Sequence, residues 1–224
     1  MNIGMRLHDA PGESFWERLE FARECGYKNV CFDPEAVLPE FTASDAPSRL
    51  DVHAAEQVRC AFILKGLRCS AVICDYDPAA PDAEAVYGAY LRFAKYLNAP
   101  LSCHGLAPDN AALPVAWAAA AGVSLVVPRA PQALAVFPEG VRQSLELPGM
   151  PLPPLRPEWG ARVTSLLLPA DAVMEGDPAV ASYLRLAVSR DLPVLLAGIA
   201  ETTAERAREL AEDAARMQMA ANSR

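Results

Sequence analysis

Residues 66–105, GLRCSAVICDYDPAAPDAEAVYGAYLRFAKYLNAPLSCHG, decide the fold. Leu67 to Cys74 is a short apolar run rich in Val, Ile and Cys, the pattern of a strand buried on both faces. Asp75, Tyr76, Asp77 and Pro78 break it as a loop. From Asp82 the period changes, and Tyr87, Tyr90, Leu91, Ala94 and Leu97 fall on one helical stripe, with Glu84, Arg92 and Lys95 off it. A turn at Asn98 to Pro100 leads into a second apolar strand, Leu101 to Cys103, which stops at His104. Strand, helix and strand make a βαβ unit, whose two strands run parallel.

Working outward, the same joint recurs. In LEFARECGYKNVCF, CAFILKGLRCSAVI, RFAKYLNAPLSC, AWAAAAGVSLVV and RLAVSRDLPVLLA, a helix end passes through a tight turn into an apolar strand. Toward the N-terminus, Ile3 to Leu7 is a first strand, ended by His8, Asp9 and the Pro11-Gly12 turn. Ser14 with Glu17 forms a capping box for a helix whose Phe15, Leu19, Ala22 and Cys25 share a face, and Gly26 closes it. Asn29 to Phe32 is the next strand. The stretch Glu35 to Ser48, with Pro39 and Pro47, reads as a loop placed to cover the mouth of a site, and a helix from about Leu50 to Lys65 follows. Toward the C-terminus, Val163 to Leu168 is a seventh strand, and Val141 to Leu147 an eighth of weaker apolar character. Asp177-Pro178 opens a helix to about Arg190. Pro193 to Ile199 is the last strand. Thr202 and Glu205 form a capping box for a final helix lined by Ala207, Leu210, Ala211 and Ala214.

Eight strands alternating with helices predict an α/β protein, a single (β/α)8 TIM barrel over residues 1–224. The second half departs from that plan. Prolines at 131, 138, 148, 151, 153 and 154 exclude regular helix, so the helix between strands six and seven is expected to be missing or reduced to one turn.

Composition narrows the partners. The 224 residues carry 52% hydrophobic and 21% charged side chains, enough for one large core. A net charge of −8 leaves no basic surplus for nucleic acid or an anionic membrane. The N-terminus lacks a signal-peptide pattern, and no stretch is long and apolar enough to span a bilayer. Six cysteines form no CxxC pair, which favours buried free thiols in a cytoplasmic protein over disulfides or zinc. Homo-oligomerisation is left open.

In a parallel barrel the site lies at the C-terminal ends of the strands. Those ends offer His8, Asp9, Asp33, Glu35, Asp75, Asp77, His104, Arg129, Asp171 and Glu201. Two of the three histidines sit there, whereas His53 falls within a helix. A second candidate needs only backbone N–H groups: the loop from Gly198 to Thr203, before the last helix, is placed to bind phosphate.

The opening IGMRLHD, the joint FWERLEFARECGYKNV and the strand GLRCSAVICDYDP resemble the xylose-isomerase-like sugar phosphate isomerase/epimerase family, over roughly the first 105 residues. The resemblance implies a TIM barrel, shared more distantly with endonuclease IV. It also implies a divalent metal held by acidic residues and a histidine at the ends of strands five to eight, with carboxylates moving a proton beside a carbonyl. Position by position, the expected metal ligands are not found. Strand five, Val123 to Val127, ends in Pro128 and Arg129. Strand seven ends in Pro169, Ala170 and Asp171, and strand eight in Ala197 and Gly198. Glu146, Asp171 and Glu201 are the acidic stand-ins, and His104 matches an imidazole that some relatives present on strand four. The expectation is therefore a protein that binds a small carbohydrate or sugar phosphate and holds no metal. His104, Asp75 and Asp33 are its candidate catalytic groups, and His8, Arg129, Gly198 and Thr203 its ligand-binding ones. Arg129 would supply positive charge where the metal would sit. Two outcomes stay open: an isomerase or epimerase, or a catalytically silent barrel that binds a ligand or a partner protein.

Overall fold

A computed structural model describes residues 3–38, 52–134, 136–147, 149–160 and 163–222. Eight strands close into a barrel in chain order: β1 Ile3–Arg6, β2 Asn29–Phe32, β3 Arg68–Cys74, β4 Leu101–Cys103, β5 Leu125–Arg129, β6 Val141–Glu146, β7 Val163–Pro169 and β8 Val194–Ala197. All eight neighbouring pairs are parallel, and β8 pairs with β1. The helices are α1 Phe15–Glu24, α2 Pro34–Val37, α3 Val52–Leu64, α4 Ala83–Tyr96, α5 Ala112–Ala121, α6 Pro157–Gly160, α7 Ala170–Met174, α8 Pro178–Arg190 and α9 Ala204–Asn222.

Local chemistry explains the boundaries. The Ser14 hydroxyl accepts from the Glu17 N–H, and the Glu17 carboxylate accepts from the Ser14 N–H, so the expected capping box opens α1. Asp177 caps α8 through the Ala179 N–H at 2.8 Å, with Pro178 at the first helical position. The aromatic residues meet around Phe32 on the outer face of β2. Its ring lies 5.5 Å from Phe15, 5.5 Å from Phe93 and 6.1 Å from Phe62, which joins α1, α3 and α4 to the barrel.

The second half is built differently. Among the described residues, only a 3-10 turn, Pro131–Ala133, follows β5 and only the four-residue α6 follows β6, as the prolines require. An extended segment covers the wall instead. The Leu152 N–H donates to Asp177 Oδ2 at 2.9 Å, and the Tyr183 hydroxyl donates to the Pro153 carbonyl at 2.8 Å. Leu152 of this segment and Trp159 of α6 are buried.

Several boundaries differ from the sequence reading. The expected loop from Glu35 begins as a helical turn, α2, because Asp33 caps it and Pro34 starts it; residues 39–51, including Pro39 and Pro47, lie outside the described residues. Leu7, His8 and Asp9 form a 3-10 turn beyond β1. Strand five runs two residues further than expected, so Pro128 and Arg129 are part of it. The expected Thr202–Glu205 capping box gives way to a 3-10 turn, Glu201–Thr203, flanked by Ala200. Three of the six free cysteines are buried, but Cys60 is exposed on α3.

Tilted strands place register partners one step apart along the barrel axis. Following the observed register with that step sorts the inward side chains into layers. The uppermost holds Asp33, His104, Glu146 and Ala197, and the next Arg6, Ile73, Pro128 and Leu167. Below lie Cys31, Ser102, Ser144 and Leu195, then Gly4, Ala71, Val126 and Ser165. Gly4 is forced to lack a side chain: a β-carbon there would stand 2.7 Å from both the Asn29 carbonyl oxygen and Leu195 Cδ2.

Candidate functional site at the barrel mouth

The uppermost layer makes the floor of a site at the C-terminal mouth. Glu146 ends β6, and Arg6, one layer down at the end of β1, reaches up to form an ion pair with it across the opening. Both side chains keep partial access to solvent. His104 follows β4, anchored by its N–H to the Cys74 carbonyl at 3.3 Å. Burial holds its pKa below the usual imidazole range. The Glu146, Asp75 and Asp33 carboxylates pull the other way, and the Arg6 guanidinium adds to the lowering. A neutral ring at pH 7 therefore sits among three carboxylates and one cation.

The surrounding acids have unequal freedom. Asp33 Oδ1 accepts from the Glu35 and Ala36 N–H groups at 3.1 and 3.3 Å, so this side chain, proposed as catalytic from sequence, caps α2. Asp75 is exposed at the end of β3. Beneath them Cys74 is buried, which pushes its thiol up to about 12 and leaves it inert at neutral pH.

The remaining candidates are placed elsewhere or are already engaged. His8 Nε2 lies 3.3 Å from Asp9 Oδ1, and its Nδ1 is buried with no partner among the described residues. Asp9 Oδ2 accepts the Gly198 N–H at 2.9 Å, and the Thr203 hydroxyl donates to the Ala200 carbonyl at 3.2 Å. The donors expected to hold a phosphate are thus in use, one of them by a carboxylate that would repel the anion. Arg129 also departs from expectation. Alternation along β5 turns Val126 and Pro128 inward, so Arg129 faces outward, donating to the Leu106 carbonyl and lying over the Phe137 ring at 5.4 Å. The cation of the mouth is Arg6. Its signal was present in the first strand, where Ile3, Met5 and Leu7 alternate with Gly4 and Arg6. Glu146, named from sequence only as a stand-in, is the acid that joins it, whereas Asp171 and Glu201 are exposed. His53 is exposed on α3, beside Gln57.

A divalent-metal centre of the kind the resemblance implies does not fit these residues. Among the described residues no three His, Cys, Asp or Glu side chains are arranged to hold a metal ion. Strands β5, β7 and β8 deliver Pro128, Leu167 and Ala197 to the lumen, and Glu146 of β6 already faces a guanidinium. Among the described residues, no helix is long and apolar enough to cross a membrane.

No protein-family model matches the chain, and no curated protein does. Solved structures do. A xylose isomerase domain protein from Alicyclobacillus acidocaldarius matches with a TM-score of 0.66 and 13% identity, over 98% of this chain and 99% of that one. D-psicose 3-epimerase, solved in the presence of D-fructose, matches with a TM-score of 0.58 and 8% identity, over 98% and 97%. Tryptophan synthase from M. tuberculosis also matches, with a TM-score of 0.56 and 15% identity, over 96% and 92%. One barrel serves unlike chemistries, so the likeness speaks for architecture and not for activity. The chain has the fold of the xylose-isomerase-like TIM barrels.

Proposed function

We propose that the mouth binds a small neutral carbohydrate through the chain's own side chains, with no divalent metal. The observation that carries this reading is the half-buried His104 at the barrel mouth, within electrostatic reach of Glu146, Asp75 and Asp33 and of Arg6, which pairs with Glu146. Sugar hydroxyls both donate and accept, and this set supplies both functions: carboxylates accept, the guanidinium donates and the imidazole does either. The balance of charge favours a neutral sugar over a sugar phosphate. An added anion meets three carboxylates against one guanidinium already paired with Glu146. The neighbouring likeness to D-psicose 3-epimerase supports a sugar as the ligand class.

On this reading His104 is the group placed to take a proton from a bound sugar, and Asp75 is the exposed carboxylate beside it. A silent, binding-only barrel is the second reading. It is favoured by the commitment of Asp33 to the cap of α2 and of Glu146 to Arg6, which leaves His104 without a fixed acid partner among the described residues.

Titration of D-fructose by calorimetry tests the site. Binding is expected at pH 7.5, and His104→Ala or Asp75→Asn should weaken it about tenfold, the loss of one hydrogen bond to a charged or buried partner. The lowered pKa of His104 predicts a flat affinity from pH 7 to 8 and a fall only in acid below the usual imidazole range, where the ring charges. Unchanged affinity in both variants overturns the assignment. Exchange of a sugar carbon-bound proton with D2O, lost in His104→Ala, would select the isomerase reading, and its absence the silent one.

A further inference from the structure

The barrel is hollow below the mouth. Barrels of this class fill their interior with layers of bulky branched side chains. Here the two middle layers hold Gly4, Cys31, Ala71 and three serines beside Val126 and Leu195. The shortfall leaves a cavity of about 380 Å³. It runs from Arg6 and His104 beneath the mouth to Pro100, Arg142, Asp191 and Pro193 at the opposite rim.

Its two walls differ in chemistry. Cys31, Ala71, Ile73, Leu167 and Leu195 pack into one continuous apolar strip, distinct from the main core. Facing it are the hydroxyls of Ser102, Ser144 and Thr164. Thr164 donates to the Gln143 carbonyl at 3.2 Å, and Ser144 reaches the Ser165 carbonyl only at 3.5 Å. Ser102 is 7% exposed, yet among the described residues its hydroxyl has no hydrogen-bond partner. That hydroxyl opens onto the cavity, where a ligand or water can partner it. An entirely apolar cavity stays dry, but a cavity with one polar wall does not.

We infer that the lumen is a second binding cavity, for a short linear diol or triol. The carbon chain lies on the Leu167–Leu195 strip, and the hydroxyls meet Ser102 and Ser144. The ligand is neutral: Arg6 above the cavity is balanced by its pairing with Glu146, and among the described residues the walls below carry no charge until Arg142 and Asp191 at the far rim. The far rim is the entrance, because Arg142, Asp191 and Pro193 are exposed there while the ion pair spans the mouth. The cavity meets the sugar site at Arg6 and His104, and its own polar contacts, Ser102 and Ser144, lie lower in the barrel.

The probe is 1,2-propanediol, followed by the amide NMR shifts of the full chain. Saturable shifts are expected at Ser102 and Ser144, unchanged in Asp75→Asn, which touches the mouth alone. Ser102→Val should abolish them by removing the hydroxyl and narrowing the lumen at that point. Because the added methyls enter empty space, that variant should melt at the same temperature or up to about 4 °C higher. A fall of about 4 °C or more, repeated in Ala71→Val, would mean a packed lumen and overturn the inference. Shifts confined to the mouth, or none that saturate, overturn it as well. Weakened sugar binding in Asp75→Asn with the diol shifts retained separates the two sites.

Discussion

The barrel's first four strands and its fifth to seventh solve the same problem by different means. Around β2, β3 and β4, helices α1, α3 and α4 lay whole apolar faces on the sheet, and the Phe32 cluster locks them together. Around β5 and β6 almost no helix remains, and the wall is covered by an extended proline-rich chain fastened at two points, Asp177 and Tyr183. Helices satisfy their own backbone groups, so they need only apolar contact to dock. An extended segment cannot, and it must find side-chain partners for the groups it buries. The first half is held by packing and the second by a few specific hydrogen bonds.

That contrast predicts where each half breaks. Phe32→Ala empties the meeting point of α1, α3 and α4 and should cost about 3–5 kcal/mol in denaturant unfolding. Asp177→Ala removes a helix cap and the carboxylate that receives the Leu152 N–H, so it should cost about 2–4 kcal/mol. A loss under about 1 kcal/mol would show that burial of Leu152 and Trp159 holds the segment without Asp177.

Alkali should divide the halves more gently. Burial pushes Cys31 up to about 11 and Cys74 up to about 12, and raises Cys69 and Cys103 well above the usual thiol range. All four belong to β2, β3 and β4. An unfolded thiol ionises near pH 8.5, before the folded one does. Their contribution is therefore complete below about pH 8.5 and is lost as pH rises toward 11 to 12, by at most about 1.4 kcal/mol per pH unit for each group. Cys74→Ala should flatten that decline in an alkaline unfolding series, and an unchanged slope would assign it to the buried tyrosines.

The fold was legible in the sequence because it rests on repeated signals. The helix-to-strand joints mark the parallel strands, and the prolines at 151, 153 and 154 mark where the helix fails. The site was less legible because its members depend on which way a strand residue points. Strand five was placed two residues early, and that put Arg129 beyond the strand, not on its outer face. Arg6 carries no motif and shows itself only through alternation with Met5. Asp33 reads equally well as an acid or as a cap, and its neighbours Glu35 and Ala36 decide for the cap. The ion pair of Arg6 with Glu146 joins residues 140 positions apart, which no local pattern encodes.

The central claim is that this mouth recognises a neutral sugar with its own side chains. Calorimetric titration of the chelator-treated protein at pH 7.5, with a neutral sugar and then its phosphate ester, tests it most directly. Saturable binding of the neutral sugar is predicted, at least about tenfold tighter than the ester, because an anion entering a net acidic site carries a penalty on the order of 1.4 kcal/mol or more. Binding that appears only after manganese or magnesium is restored, or that favours the phosphate ester, would contradict it.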